Sequence, residues 1–295
     1  MARTHGIPNP AALWRIRSLL EELSIWTHRR LTAAASYNLS MREESITEHL
    51  LVDMATRSEG AIRVVSLTPR QESKDGADWD WLIGSPSQGW QRFTVQAKKL
   101  DMRRSPPTYE QIYYPHSAKP DSGTLAGDQL GKLCATARRS GAQPIYCLYN
   151  WGPGLALDTM CTIPVDEAYG CTIAPVDVIA KYHGPKTTPT FSDIHHNNHV
   201  HPWHCWLAFR ARACTDGLVA ANAPGPQSMP EGWSDGPEAP NIDDEYPNYY
   251  PELPKAVRER FAGREPNWPD VYGGVEFVPK FLVVVDTSAP SIEAK

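Results

Sequence analysis

Helical periodicity dominates the start of the chain. A first helix is predicted over residues 10–35, because the apolar positions there fall close to a 3.6-residue period. These positions are Leu13, Ile16, Leu20, Leu23 and Leu31. A second helix is predicted over residues 41–56, and two overlapping Ser-x-x-Glu patterns, at Ser40 and Ser45, leave its first residue open.

Runs of strand-forming residues indicate a sheet in the middle and at the end of the chain. The predicted strands span residues 61–68, 78–83, 90–99, 143–150 and 280–286. Turn residues at 84–89 join the second and third strands as an antiparallel pair. The polar stretch 69–75 is predicted as a hairpin loop, and a helix over 123–140 precedes the fourth strand. The last strand is a continuous apolar run, which predicts a buried strand that joins the sheet.

The later part of the chain carries weaker patterns. One or two short helices are predicted over residues 166–183, and another over 255–262. Residues 222–254 contain eight prolines and an acidic run, which is typical of an irregular surface segment.

Composition narrows the class of protein. The 295 residues suit one large domain, and 41% hydrophobic with 21% charged residues suits a globular protein. The net charge of −5 means that any nucleic-acid surface must be a local patch. The chain contains no apolar run of about 18 residues, so we expect no membrane span. The six cysteines form no Cys-x-x-Cys pair, so we expect reduced thiols in a cytoplasmic protein without membrane contact.

Polar side chains converge on one face of the predicted strand pair. Side chains alternate along a strand, so Asp78 and Asp80 share a face of one strand, and Gln96 and Lys98 share a face of the next. Carboxylates, an amide oxygen and a lysine at one point are what divalent-metal phosphodiester hydrolysis requires. The alternative is structural: two acids on one face can be balanced by a lysine alone, as a plain ion pair.

The order Gly76-x-Asp78, hydrophobic strand, Gln96-x-Lys98 resembles the PD-(D/E)xK nuclease superfamily. The likeness is to its Gln-x-Lys variant, found in Mrr-like restriction enzymes and in anti-phage effector nucleases, and it covers roughly residues 40–150. It implies an α/β fold of the restriction-endonuclease-like type, with a mixed central sheet flanked by helices. The implied core is a helix, a three-strand meander, a helix and a further strand.

Three segments follow from this resemblance. Residues 1–40 would form an N-terminal helical segment and residues 41–150 the nuclease core. Residues 151–295 would be a C-terminal elaboration of the same domain, including the Pro-rich acidic segment 222–254.

The resemblance also implies roles for individual residues. Mg²⁺, with Mn²⁺ as a substitute, would be held by Asp78, Gln96 and a glutamate of the first core helix. Glu48 is preferred to Glu44 for that glutamate because it precedes the apolar Leu50-Leu51 run. Lys98 would orient the attacking water or stabilise charge on the phosphorane, and Asp80 would be a second-metal or supporting group.

Substrate contacts are predicted around this site. The candidates are Arg103, Arg104, Lys119, Gln129 and Lys132, the first three on a stretch of basic and tyrosine residues that is otherwise a plain surface loop. The resemblance favours DNA as the substrate and a homo-oligomer or a defence-system protein as a partner. The alternatives are an RNA or nucleotide hydrolase on the same fold, or a non-catalytic scaffold.

Five histidines crowd residues 195–204. Two or three of them with Cys205 would suffice for a zinc ion, but the spacing matches no zinc module. We therefore predict a loop leading into a strand or helix at 205–213, without stoichiometric zinc.

Overall fold

The structure is a computed structural model. The residues it describes are 9–67, 77–109, 112, 115–116, 127–153, 155, 166–182, 188–207, 249–264, 266, 268 and 279–288. The predicted loop 69–75, Lys119 and most of segment 222–254 lie outside these residues.

Six helices and ten strands are defined within the described residues. The helices are α1 Pro10–Ser36, α2 Glu43–Arg57, α3 Gln129–Arg139, α4 Val176–Ala180, α5 Phe191–His195 and α6 Lys255–Phe261. A 3₁₀ turn spans Asp166–Tyr169, and residues 203–207 are also helical. The strands are β1 Ile62–Ser66, β2 Trp79–Ser85, β3 Gly89–Lys99, β4 Pro115–His116, β5 Gly127–Asp128, β6 Gln143–Tyr149, β7 Cys171–Pro175, β8 His201–Pro202, β9 Tyr249–Tyr250 and β10 Phe281–Asp286.

Eight strands form one mixed sheet in the order β1-β10-β2-β3-β6-β7-β8, with β9 paired to β3. β10 runs parallel to β2, and β6 runs parallel to β3, whereas β2 and β3 are antiparallel. The expected mixed α/β fold, with a central sheet flanked by helices, is therefore confirmed. The expected three-strand meander is not contiguous, because β10 lies between β1 and β2.

Helices cover both faces of the sheet because side chains alternate along each strand. Trp79, Trp81 and Val95 point to the face covered by α1 and α2, where they join the largest apolar cluster. The opposite face is covered by α3, α4 and α5 over β6 and β7, and by α6 over β2 and β10. The even-numbered residues of β2 and β3, including Gln96 and Lys98, lie on this second face.

Most elements agree with the periodicity, but several details differ. Helix α5 and the two-residue strands β4, β5, β8 and β9 were not predicted. β7 was not predicted, because its five residues lie within a pattern that also suits a helix. The N-cap of α2 is Arg42, which makes no side-chain capping bond, so neither Ser-x-x-Glu pattern acts as a capping box. Cys205 is disulfide-bonded, contrary to the expectation of reduced thiols, whereas Cys134, Cys147 and Cys171 are free.

None of the described helices has the length and apolar character that a membrane-spanning helix requires.

Candidate functional site

The pairing of β2 with β3 brings the two halves of the predicted motif together. Asp78 immediately precedes β2, and its amide donates to the Val95 carbonyl (2.8 Å). Its carboxylate Oδ2 accepts from the Gln96 side-chain Nε2 (2.6 Å) and from the Ala97 backbone amide (2.7 Å). The predicted contact between the aspartate and the Gln-x-Lys strand is thus present.

A second carboxylate reaches the same strand end from α2. Glu43, the first residue of α2, accepts from the Lys99 amide through Oε1 (2.8 Å). Its other oxygen, Oε2, lies 3.9 Å from the Lys98 Nζ. Lys98 is only 4% exposed, so its ammonium is held among protein groups and faces a carboxylate. The Lys99 ammonium turns the other way and donates to the Met41 carbonyl.

The carboxylates carry more negative charge than their surroundings balance. Burial raises the pKa of Asp78 to about 6, and repulsion from Glu43 and Glu44 adds to this. The Ala97 amide and the Lys98 charge oppose the rise without cancelling it. Burial likewise raises the pKa of Glu43, although Lys98 and the Lys99 amide lower it. Lys98 lowers the pKa of both acids, and the Lys99 charge lowers that of Glu43 alone, yet both values stay raised, so a bound cation would relieve the repulsion.

The predicted helix ligand, Glu48, is corrected by the structure. Its carboxylate forms an ion pair with Lys280, and both side chains are about half exposed. Glu43 is the α2 glutamate that lies beside Lys98. Five residues of helix turn the side chain through about 500°, so the two glutamates point roughly 140° apart.

Asp80 is also corrected, because it is not free to bind a metal. Its Oδ2 accepts from Arg92 Nε (2.8 Å) and Nη2 (2.6 Å), and both side chains are buried. Arg92 donates further to the Ser140 carbonyl (3.0 Å). Asp80 therefore forms a buried ion pair that ties β2 and β3 to the end of α3. The structural alternative therefore describes this residue, although its partner is Arg92 rather than Lys98.

Gln96 lies at the site with its amide nitrogen toward Asp78. Its Oε1 accepts from Gln129 Nε2 (3.2 Å), which places this predicted substrate contact directly behind Gln96. The Oε1 of Gln129 is buried without a hydrogen-bond partner among the described residues. Rotating the two amides would turn the Gln96 oxygen toward Asp78, and amide orientation is assigned from such networks.

The types of ligand atom at this site suit a hard divalent cation. Asp78 and Glu43 supply carboxylate oxygens and Gln96 an amide oxygen, and Mg²⁺ needs few protein oxygens because it keeps waters in its shell. Among the described residues, no group of three or more His, Cys, Asp or Glu side chains is arranged to hold a metal. The fit therefore rests on two acids and the amide.

The other predicted substrate residues are dispersed. Arg103 is exposed and held by Asp101 through Nη2–Oδ2 (2.6 Å) and Nε–Oδ1 (2.8 Å) contacts. This pairing lowers the pKa of Asp101 to about 2. Arg104 is exposed on the same loop, and Lys132 is half-buried on α3.

A cavity of about 600 Å³ opens beside Glu43. It is bounded by the end of α1, the α1–α2 linker and the loop after β3, with Glu44, Arg42, Arg103 and Trp151 among its lining residues. Glu43, Arg42 and Trp151 were not predicted from the sequence as site residues. The available signal was the position of Glu43 near the start of the predicted second helix, but the ambiguous capping pattern left the first turn of that helix undefined.

The histidines do not converge on one point within the described residues. His195 is buried, bonded to Thr172 Oγ1 (2.8 Å) and the Phe191 carbonyl (2.9 Å). His196 and His199 are exposed. His204 is fully buried, with neither ring nitrogen hydrogen-bonded among the described residues, and burial lowers its pKa to about 4.

The fold and site together define a mixed α/β protein with an acid–amide–lysine cluster at the end of a central strand pair. The chain belongs to DUF6615, a family of unknown function whose model matches residues 16–288. No curated protein matches it, and no solved structure matches it either.

Proposed function

We propose that the protein is a divalent-metal-dependent nuclease that hydrolyses phosphodiester bonds, with DNA as its substrate. The carrying observation is that Glu43, Asp78, Gln96 and Lys98 meet at one strand end, two acids against one buried lysine. The Gln-x-Lys resemblance supports the nuclease class and a cytoplasmic role in restriction or phage defence.

Each residue of the cluster has a distinct role in the proposed hydrolysis. Asp78, Glu43 and the Gln96 amide oxygen would hold Mg²⁺ or Mn²⁺, which would lower the pKa of a bound water. Asp78 is held in place by the Ala97 amide, and Glu43 by the Lys99 amide, so neither carboxylate needs to reorganise. Lys98 presents a compact ammonium to charge that develops on the phosphoryl oxygens, and its burial strengthens that interaction.

The test is Lys98→Ala. Losing one preorganised charge at a developing phosphorane costs on the order of 10²–10³ in rate. We expect Lys98→Ala to lose divalent-dependent cleavage of labelled DNA by at least this factor. Lys98→Arg should not restore it, because a planar guanidinium does not replace a compact ammonium.

Lys280→Ala is the matched control, since it removes a half-exposed lysine that also pairs with a glutamate. It should cleave at the wild-type rate. Wild-type cleavage by Lys98→Ala would refute the mechanism. Measuring cleavage of labelled RNA under the same conditions shows which of the two polymers is the substrate. If neither DNA nor RNA is cleaved with Mg²⁺ or Mn²⁺, the scaffold alternative is favoured.

A further inference from the structure

The cavity beside Glu43 is contiguous with the candidate site. Glu43 lines the cavity, and the same carboxylate lies 3.9 Å from Lys98 Nζ. Lys99, the residue after Lys98, also lines the cavity. Whatever occupies this space therefore lies against Glu43, the acid that faces the Lys98 ammonium.

The size and lining of the cavity match a nucleotide. About 600 Å³ is in the middle of the range for small-molecule pockets. Its apolar wall includes Leu39 and Trp151, and the Trp151 ring is fixed because its Nε1 donates to the Leu100 carbonyl (3.0 Å). Arg42 and Arg103 are exposed cations at the same cavity. An aromatic face beside guanidinium groups is how proteins hold an unpaired base and its phosphate.

We propose that this cavity seats an unpaired nucleotide of a single-stranded substrate, with the adjoining phosphate at Lys98. This inference rests on the proposed function and adds the substrate class to it. The base lies against Trp151, and Arg42 contacts a phosphate.

A duplex does not fit this arrangement. Its bases are stacked and paired, so none can enter a cavity of this size without being extruded at a cost of a few kcal/mol.

Binding is measured by fluorescence anisotropy with the full-length chain in the Asp78→Asn background, which is expected not to cleave and keeps Lys98. The probe is a labelled 12-nucleotide strand, alone or annealed to its complement, with Mg²⁺ present. We expect the single strand to bind at least tenfold tighter than the duplex. Trp151→Ala should weaken single-strand binding about tenfold through lost stacking. Trp151→Phe keeps an aromatic face and should bind within about threefold of its parent, so it separates stacking from misfolding.

Arg42→Ala should weaken binding and lower the slope of log affinity against log salt by about one. Arg264→Ala, an exposed arginine after α6, is the control and should change neither quantity. Equal affinity for duplex and single strand, or unchanged binding on replacing both Trp151 and Arg42, would overturn the inference.

Cleavage by the wild type separates the two proposals. If it cuts duplex DNA without any effect of Trp151 or Arg42, the nuclease proposal stands and the cavity inference falls. If single strands bind through Trp151 and Arg42 but nothing is cut, the nuclease proposal falls and the cavity remains a single-strand site.

Discussion

Asp78, just before β2, and Asp80, within it, lie two residues apart, yet their surroundings are opposite. Asp80 is enclosed with Arg92 and accepts two hydrogen bonds from it. Asp78 faces Glu43 and Lys98, and burial raises its pKa to about 6. One acid is thus neutralised within the fold, whereas the other retains charge that a cation or a proton can balance.

Replacing each aspartate with asparagine should separate these roles. Asp80→Asn leaves the Arg92 guanidinium buried without its counter-charge, which costs about 3–5 kcal/mol of unfolding free energy. Asp78→Asn keeps an oxygen for the Ala97 amide and removes an underbalanced charge, so its stability should stay within about 1 kcal/mol of wild type. It should nevertheless lose cleavage. Urea unfolding followed by circular dichroism at pH 7 gives both free energies.

The double variant Asp80→Leu/Arg92→Met is the internal control. Removing both charges of a buried pair is often close to neutral, so this variant should be more stable than Asp80→Asn. A cost below about 1 kcal/mol for Asp80→Asn would show that the pair does not hold β2 to β3.

Strand alternation could predict the shared face of these residues but not their partners. The face follows from a period of two along each strand, and the observed register of Trp79 with Val95 agrees with it. Arg92 could not be predicted as the partner of Asp80 because it lies diagonally across the strand pair rather than directly opposite. The burial of the pair also depends on the end of α3, which is distant in sequence.

At the scale of elements, the start of α2 controls how the second acid reaches the site. Thr47, one turn after Glu43, hydrogen-bonds to the Tyr149 hydroxyl (2.7 Å) at the end of β6. Lys99 holds the helix start from the other side, by its amide to Glu43 and its ammonium to Met41. The position of Glu43 is therefore determined by two strands at once.

Glu43 and Glu48 on this helix offer a matched comparison. Glu43→Gln should abolish Mn²⁺ binding measured by calorimetry and lower the cleavage rate by at least tenfold, because it removes one of two acidic ligands. Glu48→Gln removes an exposed ion pair worth at most about 1 kcal/mol and should change neither quantity. The reverse result, with Glu48→Gln inactive and Glu43→Gln normal, would return the ligand role to Glu48.

The helices and most strands were predictable from the sequence because their signals are local. The order of the strands was not, since β10 enters the sheet between β1 and β2 from nearly 200 residues away in the chain. The same limit applies to Glu43. To choose between two glutamates on one helix, one must know which side of the helix faces the sheet. The apolar pattern gives that orientation only when the first turn of the helix is known.

At the scale of the whole molecule, the C-terminal strand completes the core. β10 contributes Leu282 and Val284 to the cluster under α6, while Val283 and Val285 pack with α1 and α2. Because this strand serves both faces, the two halves of the chain stabilise one another, and global unfolding reports on groups buried anywhere in the sheet. The division into segments 1–40, 41–150 and 151–295 remains a prediction.

Acid should destabilise the whole fold through its buried histidines, and His195 tests this. Its Nδ1 faces the Phe191 carbonyl, so that nitrogen carries the proton and Nε2 accepts from Thr172 in the neutral ring. Burial lowers its pKa from 6.5 to about 3, so the unfolded chain binds the extra proton between these values. Its contribution to the unfolding free energy is therefore complete above pH 6.5 and is lost toward pH 3, by up to about 1.4 kcal/mol per pH unit.

His195→Gln should flatten the fall in unfolding free energy between pH 6.5 and 4.5, measured by urea titration, even though it lowers stability at pH 7. His199→Gln, at an exposed histidine of the same segment, should run parallel to wild type. His204 makes the unfolding free energy fall with pH in the same direction, and it does so equally in both variants.

Parallel curves of unfolding free energy against pH for all three proteins would mean that His195 is protonated as readily in the folded chain as in the unfolded one.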